Sequence, residues 1–192
     1  LNTQAPELAE QAAWLDRALA ASDARWRVVT MHHPIFSSGQ GRDSKERRNI
    51  LLPVFNKHKV DLILQGHDHT YARGVIPEGP QRPERTASSQ VEAVSTMFVN
   101  SVSGPKQYRF KETRWDEYAP SGVRLDKFAE GTQFFQVITV DGDKIDYRAY
   151  AAPGDLYDSF VMTKAADGSK RVVAGEKATL DQRVFGPDNP YD

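Results

Sequence analysis

The sequence predicts an α/β fold in which a parallel strand–helix–strand unit runs into antiparallel strands. Short apolar runs at Val28-Val29-Thr30 and Val60-Asp61-Leu62-Ile63-Leu64 are typical of buried strands, and a helical stretch from Ser44 to Lys59 separates them. This order predicts parallel strands with a right-handed crossover. Later in the chain, Asp141-Gly142-Asp143 lies between two β-rich segments and is a strong hairpin signal. The 192 residues suffice for one domain with a sizeable core.

The first half of the chain alternates helices and strands. The opening segment predicts an amphipathic helix, because apolar residues recur at helical spacing at Leu8, Ala12, Leu15 and Leu19. Trp26 to Met31 predicts a strand. The small and polar loop from Ser37 to Asp43 is expected to be mobile. In the helix that follows, Pro53 is expected to restart or kink the helical path.

The second half is richer in strands and turns. An exposed loop is expected over residues 77–90, and a strand from Val94 to Val102. Residues 104–131 are polar, aromatic and charged without a clear period, and they receive no assignment. The end of the chain predicts a β-meander of two hairpins, Thr132 to Val140 with Lys144 to Tyr150 and Tyr157 to Lys164 with Arg171 to Ala174, before a loose tail around residues 186–190.

Composition excludes several classes of function. A formal charge of −1 and a pI near 6.6 leave no electrostatic footprint for nucleic acid or an anionic membrane. Mean hydropathy is −0.60, and no apolar run approaches the roughly 18–20 residues of a membrane span. Without cysteine there is no disulfide framework, thiolate site or cysteine nucleophile. Because the chain begins at Leu1, localisation is left open, with a periplasmic or secreted location favoured over the cytoplasm.

Histidines are concentrated at the ends of the first two predicted strands. The segments Met31-His32-His33-Pro34 and Gly66-His67-Asp68-His69 hold four of the five histidines. Ligands bind beyond the carboxyl ends of strands in open α/β sheets, and imidazole is a ligand of zinc and iron. The pattern predicts a metal centre, in which His67 and His69 bind one ion or two neighbouring ions. Asp68 is expected to face solvent or form a turn, and His58 to be a surface residue or a core residue with its hydrogen bonds satisfied.

These two blocks resemble the calcineurin-like metallophosphoesterases, and among them the purple-acid-phosphatase-like branch. Val29-Thr30-Met31-His32 is similar to the Val-Leu-Met-His block of that branch, Gly66-His67-Asp68-His69 to its Gly-His-x-His block, and Tyr71-Ala72-Arg73 to the Tyr-Glu-Arg that often follows. The resemblance implies that the chain is the C-terminal half of a four-layer α/β/β/α sandwich. Residues 1–164 would form the C-terminal portion of the catalytic domain, and residues 165–192 a terminal hairpin and tail.

The resemblance also implies ligands and a reaction. The cofactors would be two divalent or trivalent metal ions (zinc, manganese or iron), with His32 and His67 on the second ion and His69 on the first. His33 has no ligand role in that scheme, and it would orient His32, face the substrate or fill space. Arg42 lies in a loop expected to face the substrate. His33 and Arg42 are therefore the candidates for binding the phosphate ester.

The sequence departs from the family upstream of His32. The blocks Asp-x-His, Gly-Asp-x-x-Asp and Gly-Asn-His-Asp do not occur there. Gly142-Asp143-Lys144-Ile145-Asp146 matches the second block by its letters, but it lies on a predicted hairpin turn and after the histidines. We therefore expect the chain to be the C-terminal portion of a larger catalytic domain, whose N-terminal part is its partner. Alone, the chain is expected to be inactive and to bind metal weakly.

Alternative interpretations remain for both the function and one segment. The leading hypothesis is metal-dependent hydrolysis of phosphate esters, and the alternative is a non-catalytic binding or structural module that retains the histidines. A zinc-dependent amide hydrolase lacks support because no His-Glu-x-x-His helix occurs. The cluster of Tyr108, Phe110, Trp115 and Tyr118 would either line a substrate entrance or pack a long loop onto the sheet. Nearby cations would attract a phosphate or, interleaved with acidic residues, form a solvated face.

Overall fold

A computed structural model describes residues 1–79 and 91–180. Most of the predicted loop over 77–90 and the predicted tail lie outside the described residues. Two helices, α1 (Leu8–Ala20) and α2 (Lys45–His58), and one short 3-10 helix (Asp116–Ser121) accompany the strands. The strands are β1 (Val28–Thr30), β2 (Leu62–Gln65), β3 (Tyr71–Pro77), β4 (Glu92–Asn100), β5 (Arg124–Ala129), β6 (Phe134–Asp141), β7 (Lys144–Ala151), β8 (Leu156–Lys164) and β9 (Lys170–Ala174).

The predicted parallel strand–helix–strand unit is confirmed. β1 pairs in parallel with β2, with Val29 opposite Ile63, and β2 pairs in parallel with β4, with Ile63 opposite Phe98. Helix α2 forms the crossover. Its N-cap is Ser44, whose side chain accepts a hydrogen bond from the backbone N–H of Arg47 and so satisfies one of the free donors of the first turn.

The predicted antiparallel meander is also confirmed. β6, β7, β8 and β9 pair in chain order, and Asp141 and Lys144 close the first hairpin around Gly142. Strand β4 joins this meander to the parallel strands. Its first residues, Glu92 and Ala93, pair with β9, whereas Met97 to Asn100 pair with β2. One curled mixed sheet results, with the order β1-β2-β4-β9-β8-β7-β6.

Two strands that the sequence did not predict complete the described part of the sheet. β3 pairs antiparallel with β4 on one side and with β5 on the other. β5 and the 3-10 helix lie within residues 104–131, the stretch that received no assignment. β3 follows the second histidine block directly, so its pairing fixes where that block leaves the sheet.

The curl separates two hydrophobic cores. Successive strand residues face opposite sides, so Ile63 lies in the core under the helices and Leu62 lies in the core inside the curl. The first core also contains Leu15 of α1 and Phe55 of α2, and the second contains Tyr147 and Phe160 of the meander. The layers are helix, sheet and sheet, as in part of a metallophosphoesterase sandwich. No helix in the described ranges is long and apolar enough to span a membrane.

Candidate metal centre

The ends of β1 and β2 bring three histidine rings together. His32 and His33 follow β1, and His67 follows the neighbouring parallel strand β2. The ring centroids of His33 and His67 are 4.3 Å apart, and those of His32 and His67 are 5.0 Å apart. One potential ligand nitrogen from each of the three lies within 4.8 Å of the others. Sequence analysis predicted that histidines from both strand ends lie at one sheet edge, but it assigned the metal to His32, His67 and His69 and gave His33 no ligand role.

The second histidine block adopts a backbone conformation that few residues tolerate. His67 has a φ of 72° and His69 a φ of 52°, both in the left-handed region. For a residue with a Cβ this conformation costs about 1–2 kcal/mol. The two side chains therefore leave a turn, and do not project in parallel as alternate residues of a strand do. Strain of this kind persists only where surrounding contacts fix the backbone.

Asp68 supplies those contacts. Its carboxylate is buried, and Oδ2 accepts hydrogen bonds from the hydroxyl of Ser37 (2.8 Å) and the backbone N–H groups of Ser38 (2.5 Å) and Gly39 (3.1 Å). Of the two alternatives expected for Asp68, the solvent-facing one is therefore wrong, whereas its place in a turn agrees with the other. Ser37, Ser38 and Gly39 are buried as well, which is not the state expected of a mobile loop. Sequence analysis missed this contact because charged residues are rarely buried and the partners are about 30 residues away.

His32 and His67 present nitrogens at a spacing that suits one metal ion. Nε2 of His32 and Nδ1 of His67 are 3.1 Å apart. Two nitrogens that each bind zinc at 2.0–2.1 Å in a tetrahedral shell are about 3.3 Å apart. These two residues therefore fit as ligands of a single ion, and both are histidines that sequence analysis assigned to the same metal.

His69 lies apart from that pair and is oriented differently. Its Nδ1 donates a hydrogen bond to the backbone carbonyl of Lys106 (2.7 Å), which leaves the lone pair on Nε2. A histidine that binds metal commonly has its other ring nitrogen held in this way. His69 is not in the group of nitrogens within 4.8 Å of one another that the described residues form. Its assignment to a first metal ion stays a prediction.

Arg42 lies directly at the centre. Its guanidinium Nη2 is 2.5 Å from Nε2 of His67 and 3.2 Å from the His67 carbonyl, and it stacks 4.8 Å from the ring centroid of Tyr108. Burial, followed by the positive charge of Arg42, lowers the pKa of His67 to about 4. His67 is therefore neutral near pH 7, which is the form that binds metals.

His33 is held by a residue that sequence analysis did not single out. Thr3 is 3% exposed, and its Oγ1 lies 2.9 Å from Nδ1 of His33 and accepts a hydrogen bond from the His33 backbone N–H at 3.0 Å. Burial, and then the charge of Arg47, lower the pKa of His33. No sequence pattern marks Thr3, because the two residues are 30 positions apart.

The aromatic segment divides between packing and the site. Phe110, Trp115 and Tyr118 are buried in the core under the helices, so packing is the role of these three. Tyr108 instead contacts His69, with ring centroids 4.8 Å apart, and its backbone N–H donates to the His69 carbonyl. Lys106 lies 5.2 Å above the Tyr108 ring. This segment therefore forms one wall of the centre.

Two other predictions from the sequence concern residues away from the centre. His58 lies at the contact of α1 and α2, where its Nε2 is 2.6 Å from a carboxylate oxygen of Asp16. Gly142 and Asp143 form the turn between β6 and β7, as expected of turn residues. Among the described residues, the group of potential ligands around His67 contains three histidines and no carboxylate.

Comparison with known proteins gives a consistent family assignment for the first third of the chain. Residues 1–71 match the calcineurin-like phosphoesterase family. Purple acid phosphatase 17 of Arabidopsis thaliana is 44% identical over 55 residues, which cover 29% of this chain and 16% of that protein. Purple acid phosphatase 7 of the same plant is 26% identical over 150 residues, which cover 78% of this chain and 39% of that protein. The chain thus spans well under half the length of these curated relatives.

The fold also matches solved structures. The purple acid phosphatase PPD1 from yellow lupin (Lupinus luteus) seeds aligns over 83% of this chain and 29% of its own chain, with a TM-score of 0.59 and 21% identity. At this identity the likeness concerns the fold. It extends beyond the histidine blocks to most of the strands and helices described above.

Proposed function

We propose that the chain, whose residues 1–71 match the calcineurin-like phosphoesterases and which is similar to purple acid phosphatases, supplies the histidines of a dinuclear metal centre that hydrolyses phosphate esters. The observation that carries the proposal is the spacing of 3.1 Å between Nε2 of His32 and Nδ1 of His67 at adjacent parallel strand ends. His69, with its Nδ1 held by a carbonyl, supplies Nε2 to the neighbouring ion.

Each site residue of the chain would then have a separate role around the phosphate. When bound, a pair of ions supplies an activated water molecule and stabilises charge on the phosphoryl group. His32, His67 and His69 hold the ions. Arg42 turns from His67 to a phosphoryl oxygen, since a guanidinium binds phosphate through charge-assisted hydrogen bonds. Tyr108 and Asp68 restrict where Arg42 can lie.

Further ligands are required, and we propose that they come from outside these 192 residues. Three imidazoles leave the charge of two cations without compensation, and no carboxylate joins the group of ligands that the described residues form. The relatives are much longer than this chain, which covers 16–39% of those compared above. The isolated chain is therefore proposed to be inactive and to bind metal weakly.

The test is hydrolysis of chromogenic phosphate monoesters and diesters by the complete protein that contains this chain, loaded with zinc, manganese or iron. We expect His67→Asn and His69→Asn each to lower kcat/KM by about 100-fold or more. His58→Asn is the matched control, because that histidine contacts Asp16 away from the centre, and its activity should stay within about twofold of the wild type. Equal activity in all of these proteins would exclude the metal role of the two histidines.

The alternative is a non-catalytic module that retains the histidines, and it is motivated by the family blocks that do not occur upstream of His32. The same assay separates the two functions. If the complete wild-type protein hydrolyses neither ester class with any of the three metals but still binds zinc, the module is the correct description. A periplasmic or secreted location stays a prediction, to be tested by cell fractionation.

A further inference from the structure

We propose that His33 is a hydrogen-bond donor to the phosphoryl group and not a third metal ligand, because Thr3 fixes its proton on Nε2. This inference rests on the proposed function, and it assigns Thr3 as a positioning residue for the same site. The grouping of three histidine nitrogens within 4.8 Å would otherwise favour a tris-histidine site for one ion. The hydrogen bonds of Thr3 distinguish these two possibilities.

The argument begins with the proton of the Thr3 hydroxyl. Oγ1 accepts a hydrogen bond from the backbone N–H of His33 at 3.0 Å and lies 2.9 Å from Nδ1 of the same residue. A hydroxyl has one proton to donate. Thr3 is 3% exposed. Among the described residues, the acceptor within hydrogen-bond distance of its hydroxyl is Nδ1 of His33. If Nδ1 carried the proton instead, the hydroxyl would be a buried donor without an acceptor, which is costly.

The tautomer of His33 follows from this bond. With Nδ1 accepting from Thr3, a neutral His33 carries its proton on Nε2. Neither nitrogen then has a free lone pair for a metal ion, which requires an unprotonated nitrogen. Nε2 of His32 and Nδ1 of His67 face each other at 3.1 Å, so one ion between them could replace the proton that they share, whereas Nδ1 of His33 faces the Thr3 hydroxyl.

The N–H group that remains faces a region suited to anions. The ring centroids of His33 and His67 are 4.3 Å apart. Arg42 contacts Nε2 of His67, whereas Nδ1 of His67 faces His32. The positive charges of Arg47 and Arg42 both act on His33. An imidazole N–H and a guanidinium are both donors, and the oxygens of a phosphoryl group are acceptors. The pair therefore suits recognition of non-bridging phosphate oxygens.

Thr3 is itself fixed by two neighbouring elements. Nε of Arg47, in the first turn of α2, donates to the Thr3 carbonyl at 3.3 Å. The preceding residue, Asn2, exchanges hydrogen bonds with the Gln11 side chain of α1 at 2.8 and 2.9 Å. The short segment before α1 is thereby attached beside the first histidine block. This attachment gives the Thr3 hydroxyl a defined direction toward His33.

The test is nuclear magnetic resonance of the complete protein that contains this chain, labelled with nitrogen-15 in its histidines. Long-range nitrogen–proton correlations report which ring nitrogen carries the proton, and His33→Phe identifies the His33 signals. We expect His33 to be protonated on Nε2 in the wild type and in Thr3→Ser, which keeps the hydroxyl. Thr3→Val keeps the shape and removes the hydroxyl, so it should yield a mixture of tautomers. Protonation on Nδ1 in the wild type, or an unchanged tautomer in Thr3→Val, would overturn the proposal.

Titration of the same samples with zinc supplies a second readout. The nitrogen signals of His32 and His67 should shift as zinc is added, while His33 keeps its Nε2 proton. His33→Phe should bind zinc within about twofold of the wild type, and His32→Phe should bind it at least about tenfold more weakly. Equal losses of zinc affinity in both variants would make His33 a ligand and overturn the proposal. Failure of the proposed function would instead appear as absent hydrolysis with the His33 tautomer intact.

Discussion

At the scale of single residues, Arg42 hydrogen-bonds His67 and is also the proposed contact for phosphate. Its Nη2 lies 2.5 Å from Nε2 of His67, so His67 accepts from Arg42 through one nitrogen and faces His32 with the other. A metal ion on Nδ1 of His67 would leave the proton on Nε2, where it would oppose the Arg42 donor. On the proposed function, binding of metal and the hydrogen bond of Arg42 to the His67 ring would therefore exclude each other. Arg42 would then be available to phosphate once the ion is bound.

This competition predicts that Arg42→Met strengthens metal binding. Loss of a positive charge near the site stabilises a bound cation by about 1 kcal/mol in a high-dielectric environment, or about fivefold in affinity. Isothermal titration of the chain with zinc measures the change. Arg17→Met, at an exposed position of α1, is the control and should leave the affinity unchanged. Weaker zinc binding by Arg42→Met would show that Arg42 supports the ligands and does not compete with the ion.

Asp68 is a residue whose role is structural although it lies between two histidines. Its Oδ2 holds Ser37, Ser38 and Gly39, and its burial fixes the turn in which both histidines have positive φ. Asp68→Asn removes the charge and places an amide donor opposite backbone donors. We expect the free energy of unfolding to fall by about 2 kcal/mol, the typical magnitude for one hydrogen bond to a charged group. Urea unfolding measures it, and the exposed Asp23→Asn should change it by less than about 0.5 kcal/mol.

At the scale of secondary structure, patterns with strong local signals were predictable. β1 and β2 are apolar and bounded by polar residues, and the β6–β7 turn carries the Asp-Gly pair that favours a hairpin. β3 was missed because its first five residues are all buried, so no alternation of polar and apolar residues marks it. One of those buried residues is Arg73, whose charge is paired with Asp158 and Asp126. Such pairing depends on strands far along the chain.

The site shows the same division between local and distant information. His32, His33 and His67 could be placed at one edge because they follow strand ends that the sequence reveals, whereas only the family resemblance placed Arg42 in a substrate-facing loop. Thr3 and Asp68 could not, because their partners are about 30 residues away and the contacts form only after the chain folds. A sequence can reveal which residues carry the chemistry, whereas the residues that orient them depend on tertiary packing.

Gly74 in β3 provides a test of how tightly this unpredicted strand is packed. A Cβ at this position would overlap the Trp115 ring and the carbonyl of Arg124. We therefore expect Gly74→Ala to destabilise the chain by about 1–3 kcal/mol, the usual cost of overpacking. Gly104→Ala is the matched control, because a Cβ there meets nothing within 4 Å. Thermal unfolding compares the two, and equal midpoints would mean that β3 and the 3-10 helix segment can separate without cost.

At the scale of the whole molecule, one buried ion cluster joins the two halves of the chain. The Asp61 carboxylate, immediately before β2, accepts hydrogen bonds from Lys164 at 2.9 and 3.0 Å and from the backbone N–H of Arg27 at 2.7 Å. Lys170 of β9 is 1% exposed, and its Nζ lies 2.9 Å from the same carboxylate and 2.6 Å from the carbonyl of Lys59. The start of the strand that carries His67 is thus attached to the final hairpin.

A double-mutant cycle measures how strongly this cluster couples the two halves. Burial lowers the pKa of Lys170, and Asp61 opposes that shift, so the ammonium depends on the carboxylate. We expect Lys170→Met to cost about 1–3 kcal/mol of unfolding free energy, and Asp61→Asn a similar amount. Because each change removes the other's partner, the double variant should be less destabilised than the sum, with a coupling of about 1–3 kcal/mol. The final hairpin would then act on the metal-binding edge through β2.

The exposed pair of Asp16 and Lys57 serves as the control for that cycle. Its two side chains are 33% and 61% exposed, so solvent screens their attraction, and the corresponding coupling should be below about 0.5 kcal/mol. Urea unfolding of all variants gives both couplings. If the changes at Asp61 and Lys170 were additive within that same margin, the buried cluster would be no more than a solvated ion pair. The final hairpin would then have no energetic connection to β2 through these residues, and its loss would leave the histidine site undisturbed.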